Sequence, residues 1–173
     1  MSLLEKFKKI STIALDVDGV LTDGTLLLLD DGQMMRKMNI KDGYALQLAV
    51  KKGYRVLVIS GGQSLAVELR LKKLGVQDIF LGVENKAALL DEYRQQHGLD
   101  WEEILFMGDD IPDIAVMQKV GLPCAPLDAA SEVQSIATYI SRKKGGEGCV
   151  RDVLEMVMKL RGDWQIDLTV KSR

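Results

Sequence analysis

The sequence has too little cysteine for a stapled scaffold. Cys124 and Cys149 are its only two in 173 residues, and their spacing matches no metal motif. Aromatic residues make up 5% against a hydrophobic content of 47%, so the core must be aliphatic. There is one histidine, His97, at a predicted helix end beside Gly98, where a surface position near the negative end of the helix dipole is expected rather than a catalytic role. No apolar run approaches the ~20 residues that span a bilayer. The first ten residues carry Glu5, Lys6, Lys8 and Lys9 in place of the apolar stretch of a signal peptide. Neither sign of charge prevails: the net charge of −2 argues against a nucleic-acid binder, which would show a basic stripe. No internal repeat or low-complexity segment is visible. These exclusions leave a soluble, cytoplasmic chain with one domain over residues 1–161 and a loose polar tail over 162–173.

Two kinds of segment alternate in that domain. Thr12–Leu15, Val56–Ile59 and Ile104–Met107 are short, apolar and rich in β-branched residues, as strands buried on both faces are. Amphipathic helices are expected at Asp42–Lys52, Ser64–Leu74 and Asn85–His97, each followed by a glycine that relieves the left-handed strain of a helix end. Ile111–Val120 carries Pro112 in its first turn, and a last helix is expected over Glu147–Arg161. The alternation predicts an α/β, Rossmann-like parallel sheet with helices on both faces. One segment departs from it. Thr25–Leu29 and Gln33–Met38 flank Asp30-Asp31-Gly32 and read as a projecting β-hairpin. Its side chains include Leu26 to Leu29, Met34, Met35 and Met38, and a hairpin this apolar is expected to pack against another subunit, or else on its own domain.

Acidic residues cluster where strands end. Asp16 and Asp18, followed by Gly19, come directly after the first predicted strand. In open α/β sheets ligands bind beyond the carboxyl ends of the strands. Like charges two positions apart repel unless a cation or proton shares their site, although a solvated Asp-Gly turn would also explain the pair. Asp109, Asp110 and Asp113 follow another strand as hard oxygen ligands suited to magnesium, with one of the first two expected to cap the next helix. Ser60, Gly61 and Gly62 end a third strand with a hydroxyl and bare backbone N–H groups that can cradle phosphate. Lys86 opens a helix, where a cation opposes the macrodipole; alone it would be an ordinary surface charge. Together these groups supply what phosphoryl transfer needs, namely charge neutralisation and donors for the equatorial oxygens.

In these residues the sequence resembles the haloacid dehalogenase superfamily of phosphatases, from about residue 12 to 155. Its four motifs appear in order as Asp16-Val17-Asp18-Gly19, Ser60, Lys86, and Gly108-Asp109-Asp110 through Asp113. The stretch Asp16 to Gly24, the hairpin, Asn39 to Tyr44, and Lys144-Gly145-Gly146-Glu147-Gly148 are similar to the small capless branch. The resemblance implies a magnesium-dependent phosphatase with Asp16 as nucleophile and metal ligand. It implies that Asp18 is the general acid and then base, touching the metal through its backbone carbonyl. Asp109 would be the remaining carboxylate ligand, supported by Asp110 or Asp113, while Ser60 and Lys86 hold the phosphate. A carboxylate nucleophile splits one hydrolysis into two easier displacements.

The branch has no cap domain, and its members form homotetramers in which hairpins pack together. The implied substrate is a sugar acid phosphate, 3-deoxy-D-manno-octulosonate 8-phosphate first and a nine-carbon 2-keto-3-deoxy sugar acid 9-phosphate second. The substrate contacts carried over are Asn39, Lys41, Asp42, Gly43 and Arg70, beside Gly61. Three positions depart from the pattern: Lys41, Gly62 and Gln47 stand where relatives have arginine. Neither glycine nor glutamine can clamp a carboxylate bidentately. The loop Arg142–Gly148 is expected to reach into an active site, its own or an adjacent one, or to be a flexible connector. From other classes, a receiver-like phospho-acceptor domain would share acids, hydroxyl and lysine, but its acceptor ends a later strand and lacks an acid like Asp18. A dead subunit partnering a cytidylyltransferase is at odds with four intact motifs.

Overall fold

Successive side chains of a strand point to opposite faces of its sheet, so a run that is apolar at every position needs cover on both sides. The computed structural model, which describes residues 1–170, supplies that cover. In chain order the strands are β1 (Thr12–Leu15), β2 (Leu27–Leu28), β3 (Met34–Met35), β4 (Arg55–Ile59), β5 (Asp78–Phe80), β6 (Ile104–Met107), β7 (Leu122–Ala125) and β8 (Tyr139–Ile140). The α-helices are α1 (Leu3–Lys9), α2 (Ile40–Lys51), α3 (Leu65–Lys73), α4 (Lys86–His97), α5 (Ile114–Met117), α6 (Ser131–Ile136) and α7 (Cys149–Arg161). Ile13, Leu15, Val56, Val58, Leu105 and Met107 pack on one side against α1, α2, α3 and α7. The alternate residues Ala14, Leu57, Ile59, Ile104 and Phe106 pack on the other against α4, α5 and α6. The expected α/β sandwich of helices around a parallel sheet is the fold observed.

The six-stranded sheet runs in the order β5-β4-β1-β6-β7-β8, every pair parallel. Numbered along the chain, that is 3-2-1-4-5-6, and the strand order reverses between β1 and β6. A crevice opens at such a reversal, outside the carboxyl ends of the two strands. Leu15 pairs with Met107 in register, and the Asp16 N–H donates to the Met107 carbonyl at 3.0 Å. The two acidic clusters therefore leave the sheet side by side.

Local chemistry sets the element ends. Asn39, Ser64 and Asn85 cap α2, α3 and α4 by accepting from the N–H groups of Lys41, Val67 and Ala88. The helix expected over Ile111–Val120 begins as a 3-10 turn, Ile111–Asp113, before the single turn of α5. In the hairpin, Leu27 pairs with Met35 and Leu28 with Met34 across a turn closed by Gly32, whose φ is 84°. Met38 packs on the core, but Leu28 is 67% exposed and Met34 55%, so the hairpin is not buried on its own domain. The tail is less loose than expected. Trp164 meets Tyr44 edge-on at 6.2 Å, and Lys51 reaches Asp167 at 2.6 Å, so residues 163–170 lie along α2. Its last residues, 171–173, lie outside the described residues.

Candidate active site

Asp16, the first residue beyond β1, is buried, and so is Lys86 at the start of α4. The Lys86 ammonium lies 2.9 Å from Asp16 Oδ1 and 2.7 Å from Asp113 Oδ1, which joins the ends of three elements in one ionic link. Asp113 is 1% exposed, and its Oδ2 accepts the Asp109 N–H at 3.0 Å. Asp16, Asp109 and Asp113 each offer an oxygen within 4.8 Å of the others. Three carboxylates thus face one ammonium, an excess of negative charge that a divalent cation would balance. Burial, and then the charge of Asp113, push the Asp16 carboxyl up to about 6 despite Lys86. Burial and the neighbouring Asp16 and Asp113 push Asp109 up to about 7. Burial works against the Lys86 ammonium, but Asp16 and Asp113 outweigh it and leave the group above its ordinary range. The donor set is all oxygen and is under-neutralised, so it fits magnesium.

A cavity of about 320 Å³ opens over this cluster, lined by Asp16, Asp18, Ser60, Gly61, Lys86 and Asp109 among others. Ser60 is buried at the end of β4, and its Oγ accepts the Gly62 N–H at 3.1 Å. All four sequence motifs therefore border one space, on the carboxyl edge of β1, β4 and β6. Asp110 is exposed and its carboxylate accepts the Ile111 N–H at 2.8 Å, so it is the capping acid and Asp113 the buried one.

Asp18 also borders the cavity but stands outside the carboxylate cluster. Its two oxygens are taken by Arg36, with Nε at 2.7 Å and Nη2 at 3.1 Å. Arg36 comes from the hairpin just after β3, and its side chain is only 8% exposed. Sequence reasoning passed it over. The available signal was that Arg36, unlike its neighbour Lys37, shares the period-two face of Met34 and Met38.

The carried-over substrate residues lie around rather than in this cavity. Asn39 caps α2 and donates through Nδ2 to the Gly146 carbonyl at 3.2 Å. Lys41 is exposed on the first turn of α2. Asp42 is buried, and its Oδ1 accepts the Arg151 N–H at 2.7 Å while Oδ2 has no partner. Burial pushes its carboxyl up to about 6. Gly43 leaves room for Arg70: a Cβ there would stand 2.9 Å from the Arg70 guanidinium. Arg70 and Arg36 share the wall of a second cavity, about 610 Å³, between the hairpin and α3.

The loop Arg142–Gly148 neither enters the cavity nor hangs free. It packs behind the first motif, where a Cβ on Gly145 would fall 1.9 Å from the Gly19 carbonyl oxygen and one on Gly146 2.5 Å from the Asp23 nitrogen. The Gly146 N–H donates to the Val20 carbonyl at 3.0 Å. Only glycine permits backbones this close.

Comparison with known proteins agrees with this geometry. A family model of haloacid dehalogenase-like hydrolases matches residues 79–153. The chain is 32% identical over 160 residues to 3-deoxy-D-manno-octulosonate 8-phosphate phosphatase of Escherichia coli, covering 92% of this chain and 85% of that one. It is similar to the structure of 3-deoxy-D-manno-octulosonate 8-phosphate phosphatase from Moraxella catarrhalis in complex with magnesium, phosphate and a KDO molecule. That match has a TM-score of 0.90 and 29% identity, over 92% of each chain. A probable YrbI family phosphatase from Pseudomonas syringae superposes with a TM-score of 0.91 at 37% identity, over 93% of this chain and 92% of that one.

Proposed function

The chain belongs to the haloacid dehalogenase-like hydrolases, and on that premise we propose that it is a magnesium-dependent phosphatase hydrolysing 3-deoxy-D-manno-octulosonate 8-phosphate. One observation carries the reading. Asp16, Asp109 and Asp113 converge within 4.8 Å at the β1/β6 crevice, under a cavity that also receives Ser60, Gly61 and Lys86. The Moraxella catarrhalis relative, with its magnesium, phosphate and KDO, supports both metal and substrate.

In the proposed mechanism Asp16 Oδ attacks the phosphorus of the ester, and the bond from phosphorus to the sugar oxygen breaks. Asp18 gives its proton to that leaving oxygen. Asp18 then takes a proton from water, which attacks phosphorus and returns Asp16 and inorganic phosphate. Lys86 and the Ser60 hydroxyl hold the non-bridging oxygens, with the Gly61 backbone beside them, so that charge gathering on the phosphoryl group meets fixed donors. The Asp16 and Asp109 carboxylates and the Asp18 carbonyl would hold magnesium, with Asp113 behind them and Asp110 capping the turn at the surface. When bound, the metal shields the carboxylate's approach to an anionic ester. Asp18 two residues after Asp16 favours turnover of the acyl-phosphate over its storage, against the receiver reading.

The exposed hairpin supports a homotetramer built on hairpin contacts, and a cytoplasmic location goes with a small-molecule enzyme of this kind. Asn39, Lys41, Asp42, Gly43 and Arg70 complete the proposed substrate surround, Asn39 by fixing the loop behind the first motif and Asp42 by holding the first turn of α7. The test is phosphate release from sugar acid phosphates with magnesium, beside Asp16→Asn and Asp18→Asn. Both variants are expected to fold and to lose at least ~10²-fold in kcat, the scale of a removed acid–base group. Full activity in Asp16→Asn would reject the mechanism.

A further inference from the structure

The second cavity, between the hairpin and α3, has no role in the phosphoryl chemistry, yet two arginines face it. It is about 610 Å³, lined by Met34, Met35, Met38 and Val67 with Arg36 and Arg70. The Asp18–Arg36 pair and Gly62 stand between it and the phosphate cavity, because Asp18 and Gly62 line the first while Arg36 lines the second. An ester with its phosphate over Asp16 would therefore lead its leaving group past Asp18 towards Arg36.

Gly62 is the position at which the family resemblance calls for arginine. A Cβ on Gly62 would stand 3.1 Å from Asp18 Oδ2 and 3.2 Å from Arg36 Nη2. A side chain at 62 would press on both members of the Asp18–Arg36 pair, so its absence leaves them room. The guanidinium next to this bare position comes from the hairpin. Arg36 also already holds a carboxylate here: its Nε and Nη2 bind the two oxygens of Asp18 at 2.7 and 3.1 Å, the side-by-side fork that guanidinium makes with a carboxylic acid.

We propose that Arg36 is the specificity-determining residue of this chain, exchanging the Asp18 carboxylate for the carboxylate of a sugar acid leaving group. The inference rests on the phosphatase reading and deepens it. The exchange conserves the charge and the two hydrogen bonds of the guanidinium, since one carboxylate replaces another. It also leaves the Asp18 oxygens open to the leaving oxygen, so an ester whose alcohol carries no carboxylate gains neither contact nor release.

The test compares kcat/KM for 3-deoxy-D-manno-octulosonate 8-phosphate with that for D-arabinose 5-phosphate, a primary phosphate ester without a carboxylate. The proteins are wild type, Arg36→Met, Arg36→Lys and the double variant Arg36→Met, Gly62→Arg, with folding checked by circular dichroism. Arg36→Met is expected to lose about 10–100-fold on the acid, chiefly through KM, the scale of lost hydrogen bonds to a charged group, and to gain on arabinose 5-phosphate, for which it frees Asp18. Arg36→Lys, which keeps charge without the fork, falls between. The double variant, with Arg36 gone and space beside Asp18, regains part of the preference. Equal losses on both substrates would make Arg36 a support for Asp18 and overturn the inference, as would an undiminished preference for the acid in Arg36→Met. A wild type that treats both substrates alike would sink the sugar acid reading itself, and the inference with it.

Discussion

Replacing Asp109 with Asn should stabilise the metal-free protein while abolishing its response to magnesium. Asp109 is pushed up to about 7 by burial first and then by Asp16 and Asp113, and Asp16 is pushed up to about 6. A carboxyl raised in the folded state gives stability that is fully present below its unfolded value, near 4, and is lost as pH rises through 7. Above pH 7 the folded protein therefore carries the cost of a cluster ionised against its surroundings. A rise of about three pKa units corresponds to at most ~4 kcal/mol, and screening by solvent in the open cavity brings this to ~2 kcal/mol. For a chain of this size that is a melting shift of about 4–8 °C.

The assay is thermal denaturation of wild type and Asp109→Asn at pH 8 and pH 5, in EDTA and in magnesium. In EDTA at pH 8 the variant should melt higher, and the gap should shrink towards pH 4–5 as the wild-type carboxyl takes up its proton. In magnesium the order should reverse, because a ligand at a hundred times its Kd stabilises the native state by ~2.7 kcal/mol and the variant has lost a ligand oxygen. A variant less stable than wild type in EDTA at pH 8, or a gap that does not change with pH, would refute the account of a charge-strained cluster.

Two further outcomes follow from packing. Gly145→Ala puts a methyl 1.9 Å from the Gly19 carbonyl oxygen, so the loop or the first motif must move. It should cost ~1–3 kcal/mol in denaturant unfolding and lower kcat about tenfold or more, and unchanged activity would mean that the contact does not hold Asp16 in place. Leu28→Asp with Met34→Asp alters side chains that are 67% and 55% exposed in one chain, so monomer stability should change by less than ~0.5 kcal/mol. Sedimentation should show wild type well above 19.2 kDa and the variant dissociated; a monomeric wild type would remove the hairpin interface.

What was legible in the sequence was what is local. β1, β4 and β6 are apolar at consecutive positions because each is covered on both faces, and that pattern survives in a single line of letters. The trailing glycines Gly53, Gly75 and Gly98 read correctly because each touches only its own last turn, whereas α2 starts two residues earlier than expected, behind the cap Asn39. β7 was passed over because Pro123 argues against a strand, and β8 because two residues carry no period. Leu3–Lys9 went unread because so short a helix buries only Phe7 and shows no apolar period; its local signal is the capping box of Ser2 and Glu5. The motif residues were legible individually. Their meeting was not, because it depends on the pairing of Leu15 with Met107, 92 positions apart in the sequence.

The same limit explains why Arg36 was missed and why Asp110 and Asp113 were not told apart. Asp113 looked like support on equal terms with Asp110, since spacing alone does not say which of two acids in a turn faces inward. The 3-10 turn decides it: Asp110 caps at the surface, while Asp113 is turned under the Asp109 N–H and onto Lys86. Arg36 is 18 positions from Asp18, on a hairpin whose tip seemed to concern only subunit contacts. A hairpin that stands in for a cap domain must do two things, since the same short segment offers its apolar tip outward and its base to the reaction. Leu27, Leu28, Met34 and Met35 lie exposed at the tip, and Arg36, one residue beyond the last strand position, is held against Asp18 at the base. With the proposed hairpin assembly and the proposed role of Arg36 taken together, subunit assembly and substrate recognition would be mechanically joined. Dissociation by Leu28→Asp with Met34→Asp should accordingly raise KM for a carboxylate-bearing substrate while sparing an ester without one. An equal effect on both would separate the two roles and show that the base of the hairpin holds its position without the tip.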